Sequence, residues 1–154
     1  PVEPRIHEDV HQVATCPLAP ERVYANTADA VYLSLDRGES WEHRTTGLDA
    51  RYGRALAVHP QDPDCLLASV SNGPHGATEG KLYRSDDAGN HWSHVEKGFP
   101  RCTHDNIDTF QISFSADGEA WSAVEHTLYG SADRGQRWEV AWQASDSIRA
   151  ISCA

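Results

Sequence analysis

Two histidines and one aspartate near the N-terminus have a spacing that suits a metal ion. His7, Asp9 and His11 alternate along the chain, so an extended backbone places all three side chains on one side. Two imidazoles and one carboxylate form a ligand set that zinc and similar divalent ions accept. The competing interpretation is an ordinary polar rim, solvated or hydrogen-bonded to a neighbouring element.

A second group of side chains combines cations, carboxylates and a tyrosine. Guanidinium and imidazolium groups bind anions such as carboxylates, and paired carboxylates catalyse glycoside hydrolysis. The binding candidates are His11, Arg51, Arg54, His104 and Arg149. The catalytic candidates are Asp9, Tyr52, Asp105 and Asp108. These residues belong to four distant segments, so only a repeated architecture could bring them together.

Such a repeat is present. The pattern Ser-x-Asp-x-Gly-x-x-Trp occurs three times, 51 and 46 residues apart. Its members are Ser34, Asp36, Gly38 and Trp41, then Ser85, Asp87, Gly89 and Trp92, then Ser131, Asp133, Gly135 and Trp138. Each motif follows a strand-like stretch and is followed by a stretch of alternating apolar and polar residues. After the third motif, Trp138, Val140 and Trp142 are predicted to share one face.

Each repeat unit supplies two further strands, separated by a turn. Two units have prolines three positions apart at this turn, in 16–21 and 59–64, and the third has Gly118. We predict an all-β chain of three four-stranded antiparallel units covering about 6–47, 52–98 and 107–144. Residues 148–154 resemble the first strand of the second unit and predict the start of a further unit.

The three motifs resemble the Asp-box, or BNR repeat, of sialidases, sortilin-type receptors and photosystem II assembly factors. The segment Asp9–Ala14 with its Pro-x-x-Pro turn is most similar to bacterial glycosyl-hydrolase-like Asp-box proteins. The resemblance implies a β-propeller in which each unit is one blade and its first strand lines the channel. It then places His11, Arg54, Thr109 and Arg149 in register there.

The box residues themselves are expected to be structural. The glycines supply positive φ in a tight hairpin turn, the aspartates and serines bind backbone amides, and the tryptophans are buried. Identical placement in every blade is typical of a structural part, whereas loops that differ between blades carry function.

Resemblance to sialidases implies a further interpretation of the channel residues. Those enzymes bind a substrate carboxylate with three arginines and use a tyrosine nucleophile assisted by a glutamate, with an aspartate as acid/base. Arg51, Arg54 and Arg149 could form an anion site, and Tyr52 lies near the place of the nucleophile. No partner glutamate can be identified by spacing.

Three blades are too few for a ring, since a propeller needs about four to eight. The chain is thus expected to be half of a six- or seven-bladed ring with bare apolar faces at both ends. Either two copies pair head to tail as a homodimer, or the chain is one half of a longer protein. The absence of Met, even at position 1, favours a trimmed or partial chain.

Composition excludes several functions. The formal net charge of −10 argues against nucleic-acid binding and docking on anionic membranes, and no apolar run is long enough to cross a membrane. Four cysteines without a Cys-x-x-Cys pair are expected to be buried thiols. They favour a cytoplasmic location, with secretion left open.

The sequence therefore predicts a non-catalytic binding or scaffold module without a cofactor, which holds a ligand or partner at the channel face. The alternative is a sialidase-like glycoside hydrolase whose site is assembled across a closed ring.

Overall fold

The computed structural model describes residues 2–3 and 5–154, with side chains from residue 5 onwards. Its strands are all antiparallel and form three sheets. No helix, and so none of membrane-spanning length and hydropathy, occurs among these residues. The predicted all-β fold is confirmed.

Each sheet is one blade. Blade 1 contains β1 (Val2–Glu3), β2 (Val10–Cys16), β3 (Ala19–Thr27), β4 (Ala30–Ser34) and β5 (Trp41–Arg44). Blade 2 contains β6 (Tyr52–His59), β7 (Asp62–Ser71), β8 (Lys81–Ser85) and β9 (Ser93–His94). Blade 3 contains β10 (Ile112–Phe114), β11 (Ala120–Val124), β12 (Thr127–Ser131) and β13 (Glu139–Gln143).

Within each blade, consecutive strands are neighbours, as in a meander. The exception is β1, which pairs with the outer strand β5 rather than with β2. Blade 1 therefore has a fifth strand that the sequence analysis did not predict. The reason is that two residues are too short to show an alternating pattern.

The first strands of the blades lie side by side. The side-chain oxygen of Gln12 in β2 accepts the backbone N–H of Leu56 in β6 at 3.2 Å and that of Phe110, just before β10, at 3.1 Å. One amide side chain thus links all three blades where their inner strands meet.

Two apolar cores hold the blades together. Between blades 1 and 2 the buried side chains include Tyr24, Leu33, Leu56, Leu66 and Trp92. Between blades 2 and 3 they include Ala57, Leu67, Leu82, Ile112 and Trp138. Successive side chains of a strand point to opposite faces of the sheet, so blade 2 contributes side chains to both cores. The box tryptophans in these cores, Trp92 and Trp138, face the preceding blade.

One end face of the arc differs from the expected bare surface. On the free face of blade 1, Ala25, Tyr32 and Trp41 form a buried cluster, and Ile6 from the N-terminal segment packs on it. The chain must cross this face because it runs from β1 at the outer edge to β2 at the inner edge. The first end face is therefore partly covered by the chain itself.

The C-terminal residues 148–154 lie beside the inner strand of blade 3. The N–H of Ile151 donates to the carbonyl of Phe110 at 2.8 Å, and that of Ala116 donates to the carbonyl of Ala154 at 3.4 Å. This is where a further inner strand was predicted, but the segment has no strand geometry. These widely spaced hydrogen bonds do not make a regular ladder.

Both proline turns are tighter than predicted. The strands resume at Ala19 and at Asp62, so Pro20 and Pro63 lie inside strands. Cys16 and Cys65 are buried as expected, whereas Cys102 is exposed and Cys153 half-buried. Cys102 is exposed because it belongs to the loop between blades 2 and 3, outside the sheets.

Candidate functional site

The arc has two faces that differ in what their loops contain. All inner strands begin on one side, here called the upper face, which also carries the loops between blades. The Asp-box turns join the third and fourth strands of each blade and therefore lie on the opposite side, the lower face.

The box turns use their polar groups internally. In blade 1 the Ser34 hydroxyl donates to Asp36 and accepts the N–H of Gly38 at 2.7 Å. The Asp36 carboxylate then accepts the N–H of Ser40 at 2.8 Å. Blades 2 and 3 repeat the pattern through their own Ser, Asp and Gly residues.

The predicted positive φ of the box glycines is found at Gly38, Gly89 and Gly135. The residue before each glycine also has positive φ, at Arg37, Ala88 and Arg134. Two consecutive residues of this kind match the twist of a hairpin. The geometry supports a structural role for the box side chains.

Hydrogen bonds within the boxes stabilise the ionised carboxylates. Bonds from the Ser40 hydroxyl and N–H, with one from Ser34, lower the pKa of Asp36 from 3.8 to about 2. Partial burial opposes ionisation of Asp87 and Asp133, but hydrogen bonds from their own turns outweigh it and lower both pKa values.

On the upper face, several predicted site residues form one polar chain across the three blades. His11 Nδ1 lies 2.5 Å from the Gly53 carbonyl, and its Nε2 lies 3.3 Å from both Asp9 Oδ1 and the Tyr52 hydroxyl. The Arg54 guanidinium lies over the Tyr52 ring, 5.1 Å from its centroid. Arg54 Nη1 is also 3.5 Å from Asp108 Oδ1.

Other predicted residues lie apart from this chain. Arg51 forms an ion pair with Asp29, at 2.8 Å from Nη2 to Oδ1, so it does not join Arg54 in an anion site. His104 pairs with its neighbour Asp105 at 3.1 Å. Arg149 is exposed in the C-terminal segment. The three arginines of the anion-site hypothesis thus have separate surroundings.

The predicted metal ligands have other contacts. His7 Nδ1 accepts the backbone N–H of Asp9 at 3.1 Å, and His11 is bound to Gly53 as described above. Among the residues with described side chains, no group of three or more His, Cys, Asp or Glu is arranged to hold a metal ion. The metal hypothesis therefore gains no support from this geometry.

A depression of about 380 Å³ opens on the upper face between blades 2 and 3. Its lining comes from the inner strand of blade 2, the β7–β8 loop and the loop between the blades. The lining residues are Arg54, Pro74, His75, Gly76, Thr78, Asp105, Asn106 and Asp108. Arg54 Nε and Thr78 Oγ1 are both buried, and neither has a hydrogen-bond partner among the described residues.

A larger depression, of about 460 Å³, lies at the lower rim between the same two blades. Apart from Lys97, its charged side chains are already paired with one another, as Arg84 with Asp86, His91 with Asp87, and His94 with Glu96. Polar groups that satisfy each other leave less binding capacity for a ligand. The upper-face depression is the better candidate site.

Sequence reasoning missed Thr78, His75 and Asn106. All three belong to or contact the β7–β8 loop at 72–80, where blade 1 has only the short turn after Thr27. The spacing of 51 residues between the first two boxes, against 46 between the next two, is the signal of this longer unit. Loops that differ between repeated blades are where binding residues are expected.

Comparisons with known structures identify the fold. A GH74 xyloglucanase from Xanthomonas campestris is 19% identical, with a TM-score of 0.67 over 84% of this chain. A GH74 enzyme from Niastella koreensis is 15% identical, with a TM-score of 0.64 over 91% of the chain. YCF48 bound to a D1 peptide is 18% identical, with a TM-score of 0.57 over 86%.

The matched part is a minority of each of these proteins: 20% of the xyloglucanase, 22% of the Niastella enzyme and 39% of YCF48. At such low identity the likeness shows the propeller fold alone. Among curated proteins, no sequence matches the chain significantly. A family model described as sortilin, neurotensin receptor 3, matches residues 2–128. Together with the three Asp-box turns, this match shows that the chain belongs to the Sortilin-Vps10 family of Asp-box propellers.

Proposed function

We propose that the chain is a non-catalytic binding module that holds a ligand or partner on its upper face. The observation that carries the proposal is Arg54, a guanidinium at the junction of blades 2 and 3. Its Nε has no partner among the described residues, and its contact with Asp108 is long, at 3.5 Å. An incompletely bonded arginine in a depression is suited to ligand recognition.

The exposure of the candidate carboxylates also favours binding over hydrolysis. A catalytic acid requires a raised pKa, which comes from apolar surroundings. The side chains of Asp9, Asp105 and Asp108 are 56%, 70% and 54% exposed. Each also lies beside a basic side chain, and none has the apolar surroundings that a catalytic acid needs.

Likeness to proteins of known activity supports both candidates. YCF48, with the same fold, has been solved bound to a D1 peptide, and peptide binding is in line with the first proposal. The GH74 likeness keeps glycoside hydrolysis as the second candidate. In a sialidase-like enzyme Tyr52 would act as nucleophile, although its hydroxyl contacts His11 and no carboxylate among the described residues.

Binding and hydrolysis can be separated by experiment. Peptides and oligosaccharides are screened by thermal shift, and hits are mapped by amide hydrogen exchange. We expect protection in residues 51–54, 72–80 and 103–110 and no chemical turnover. Arg54→Gln weakens binding, whereas Arg134→Gln, a matched change on the lower face, does not. Protection confined to the lower face, or turnover abolished by Tyr52→Phe, contradicts the proposal.

We further propose that the arc works as part of a larger ring, completed by a second copy or by further sequence. Three blades are fewer than the roughly four that closure needs. The exposed Trp142 on the outer strand of blade 3 supports this proposal, because a large apolar side chain at an end face favours contact with another surface.

A further inference from the structure

We propose that the upper-face depression between blades 2 and 3 binds an uncharged polyhydroxylated ligand, namely a neutral sugar. This rests on the proposed binding function and specifies its ligand.

Two unsatisfied polar groups set what the ligand must offer. Thr78 is only 3% exposed, lines the depression and has no partner for its Oγ1 among the described residues. Arg54 Nε is likewise buried and unpaired. A buried polar group without a partner is unfavourable, so the fold gains when a ligand supplies one. Because the Arg54 Nε–H can only donate, the ligand needs an acceptor oxygen, while the Thr78 hydroxyl can donate or accept.

The carboxylates in the lining set the complementary requirement. Asp105 and Asp108 are more than half exposed, and each has one oxygen engaged by a neighbouring basic group. Their remaining acceptor capacity calls for ligand donors. A hydroxyl group donates and accepts at one atom, so adjacent hydroxyls satisfy Arg54, Thr78 and the carboxylates together.

Charge decides against a ligand that is itself an anion. A carboxylate would satisfy Arg54, but the two aspartates lie in the same lining, and the whole chain carries a formal −10. Juxtaposed like charges are unfavourable. The arginine is therefore expected to bind a neutral oxygen.

The walls of the depression are fixed by hydrogen bonds within the chain. The Thr78 N–H donates to the His104 carbonyl at 3.0 Å, and the Asn72 N–H donates to the Thr78 carbonyl at 2.9 Å. The Asn106 side chain donates to the Gly73 carbonyl at 3.2 Å and accepts from Ser71. A site held in place before binding loses less entropy when the ligand arrives.

A matched pair of probes tests the ligand class. Methyl glucoside and methyl glucuronide differ in one group, a hydroxymethyl against a carboxylate. Titrated into isotope-labelled protein and followed by amide NMR, the glucoside is expected to shift signals of residues 72–80 and 103–108. The glucuronide is expected to bind at least about fivefold more weakly because of like-charge repulsion. Equal or tighter binding of the glucuronide overturns the proposal, as does the absence of shifts at these residues with the glucoside.

Variants test the residues. Thr78→Val keeps the side-chain shape and is expected to weaken glucoside binding about fivefold, the equivalent of one hydrogen bond. Arg54→Lys keeps the charge, removes Nε and is expected to have a similar effect. Ser122→Ala is the matched control, because its hydroxyl is also buried without a described partner but is not in the lining. Unchanged binding in both Thr78→Val and Arg54→Lys overturns the assignment.

Failure of this inference can be told apart from failure of the proposed function. If the glucoside causes no shifts but another ligand protects the upper face, the sugar assignment is wrong and the proposed binding function stands. Release of methanol from the glucoside contradicts the non-catalytic proposal and leaves the ligand class standing.

Discussion

At the scale of single residues, the Asp-box works as a self-contained turn. The Ser34 hydroxyl links the carboxylate of Asp36 to the N–H of Gly38, and the carboxylate also accepts the backbone N–H of Ser40. The positive φ of Arg37 and Gly38 makes the turn possible. Since the same bonds recur in each blade, each box aspartate holds the hairpin of its own blade.

The low pKa of Asp36 leads to a prediction about acid stability. Its folded pKa of about 2 lies below the ordinary 3.8. The ionised group therefore stabilises the fold above pH 3.8, and this contribution is lost as the pH falls through about 2. Asp36→Asn is expected to lower the melting temperature at pH 7 and to flatten its decline between pH 4 and pH 2.

Thermal unfolding monitored by circular dichroism across this pH range provides the measurement. Asp117→Asn, an exposed aspartate in the turn before β11, is the control and should retain the parent slope. An Asp36→Asn variant as acid-sensitive as the parent would show that the box carboxylate does not contribute.

At the scale of elements, a repeated contact docks each blade on the one before it. The backbone N–H of Trp92 donates to the Thr46 carbonyl, and the backbone N–H of Trp138 donates to the Lys97 carbonyl, both at 2.9 Å. A glycine with positive φ follows each acceptor, Gly47 and Gly98. A Cβ at Gly98 would lie 1.8 Å from the Trp138 carbonyl oxygen.

Two glycines separate steric clash from backbone strain. Gly98 and Gly76 both have positive φ, but a Cβ at Gly76 meets nothing within 4 Å. Gly76→Ala is expected to cost about 1 kcal/mol through strain alone. Gly98→Ala is expected to cost at least about 3 kcal/mol, because strain and overpacking combine. Urea unfolding measures both, and equal losses would mean that blade docking tolerates the added methyl group.

The outer strand of blade 3 shows where periodicity fails. Alternation predicted that Val140 and Trp142 share a face, but Val140 pairs with Tyr129 and Trp142 with Leu128, two consecutive residues that point to opposite faces. A bulge at Ala141 accounts for this. Because one inserted residue reverses every later side chain, the prediction was wrong for Trp142, which is 58% exposed.

At the scale of the whole molecule, the two ends of the arc are not equivalent. Asn26 donates to the Ala55 carbonyl of the next blade, and Ser69 donates to the Ile107 carbonyl. The equivalent position in the strand register of blade 3 is Ala123, which has no polar side chain to donate a hydrogen bond. The other end is partly covered by Ile6. Neither end therefore repeats the hydrogen bond that joins neighbouring blades.

Ring closure by a second copy therefore depends on the N-terminal segment. Head-to-tail pairing uses the free face of blade 1, where Ile6 lies on Tyr32 and Trp41. Removing residues 1–8 is expected to increase the dimer fraction, as measured by light scattering over a range of concentrations. Trp142→Asp in the shortened chain, which puts a charge on the opposite end face, is expected to restore the monomer. A shortened chain that stays monomeric throughout contradicts closure by a second copy.

The sequence by itself determined the local parts of this protein. The three boxes, the positive φ of Gly38, Gly89 and Gly135, and the antiparallel strands follow from residue types at short range, where a few backbone dihedrals and hydrogen bonds decide the structure. Only the tertiary structure decided that Arg51 pairs with Asp29 while Arg54 lies over Tyr52 beside Asp108. It also brought Thr78 and Arg54 into one depression. These placements depend on inter-blade packing and loop paths, which bring together residues far apart in the chain and leave no period in the sequence.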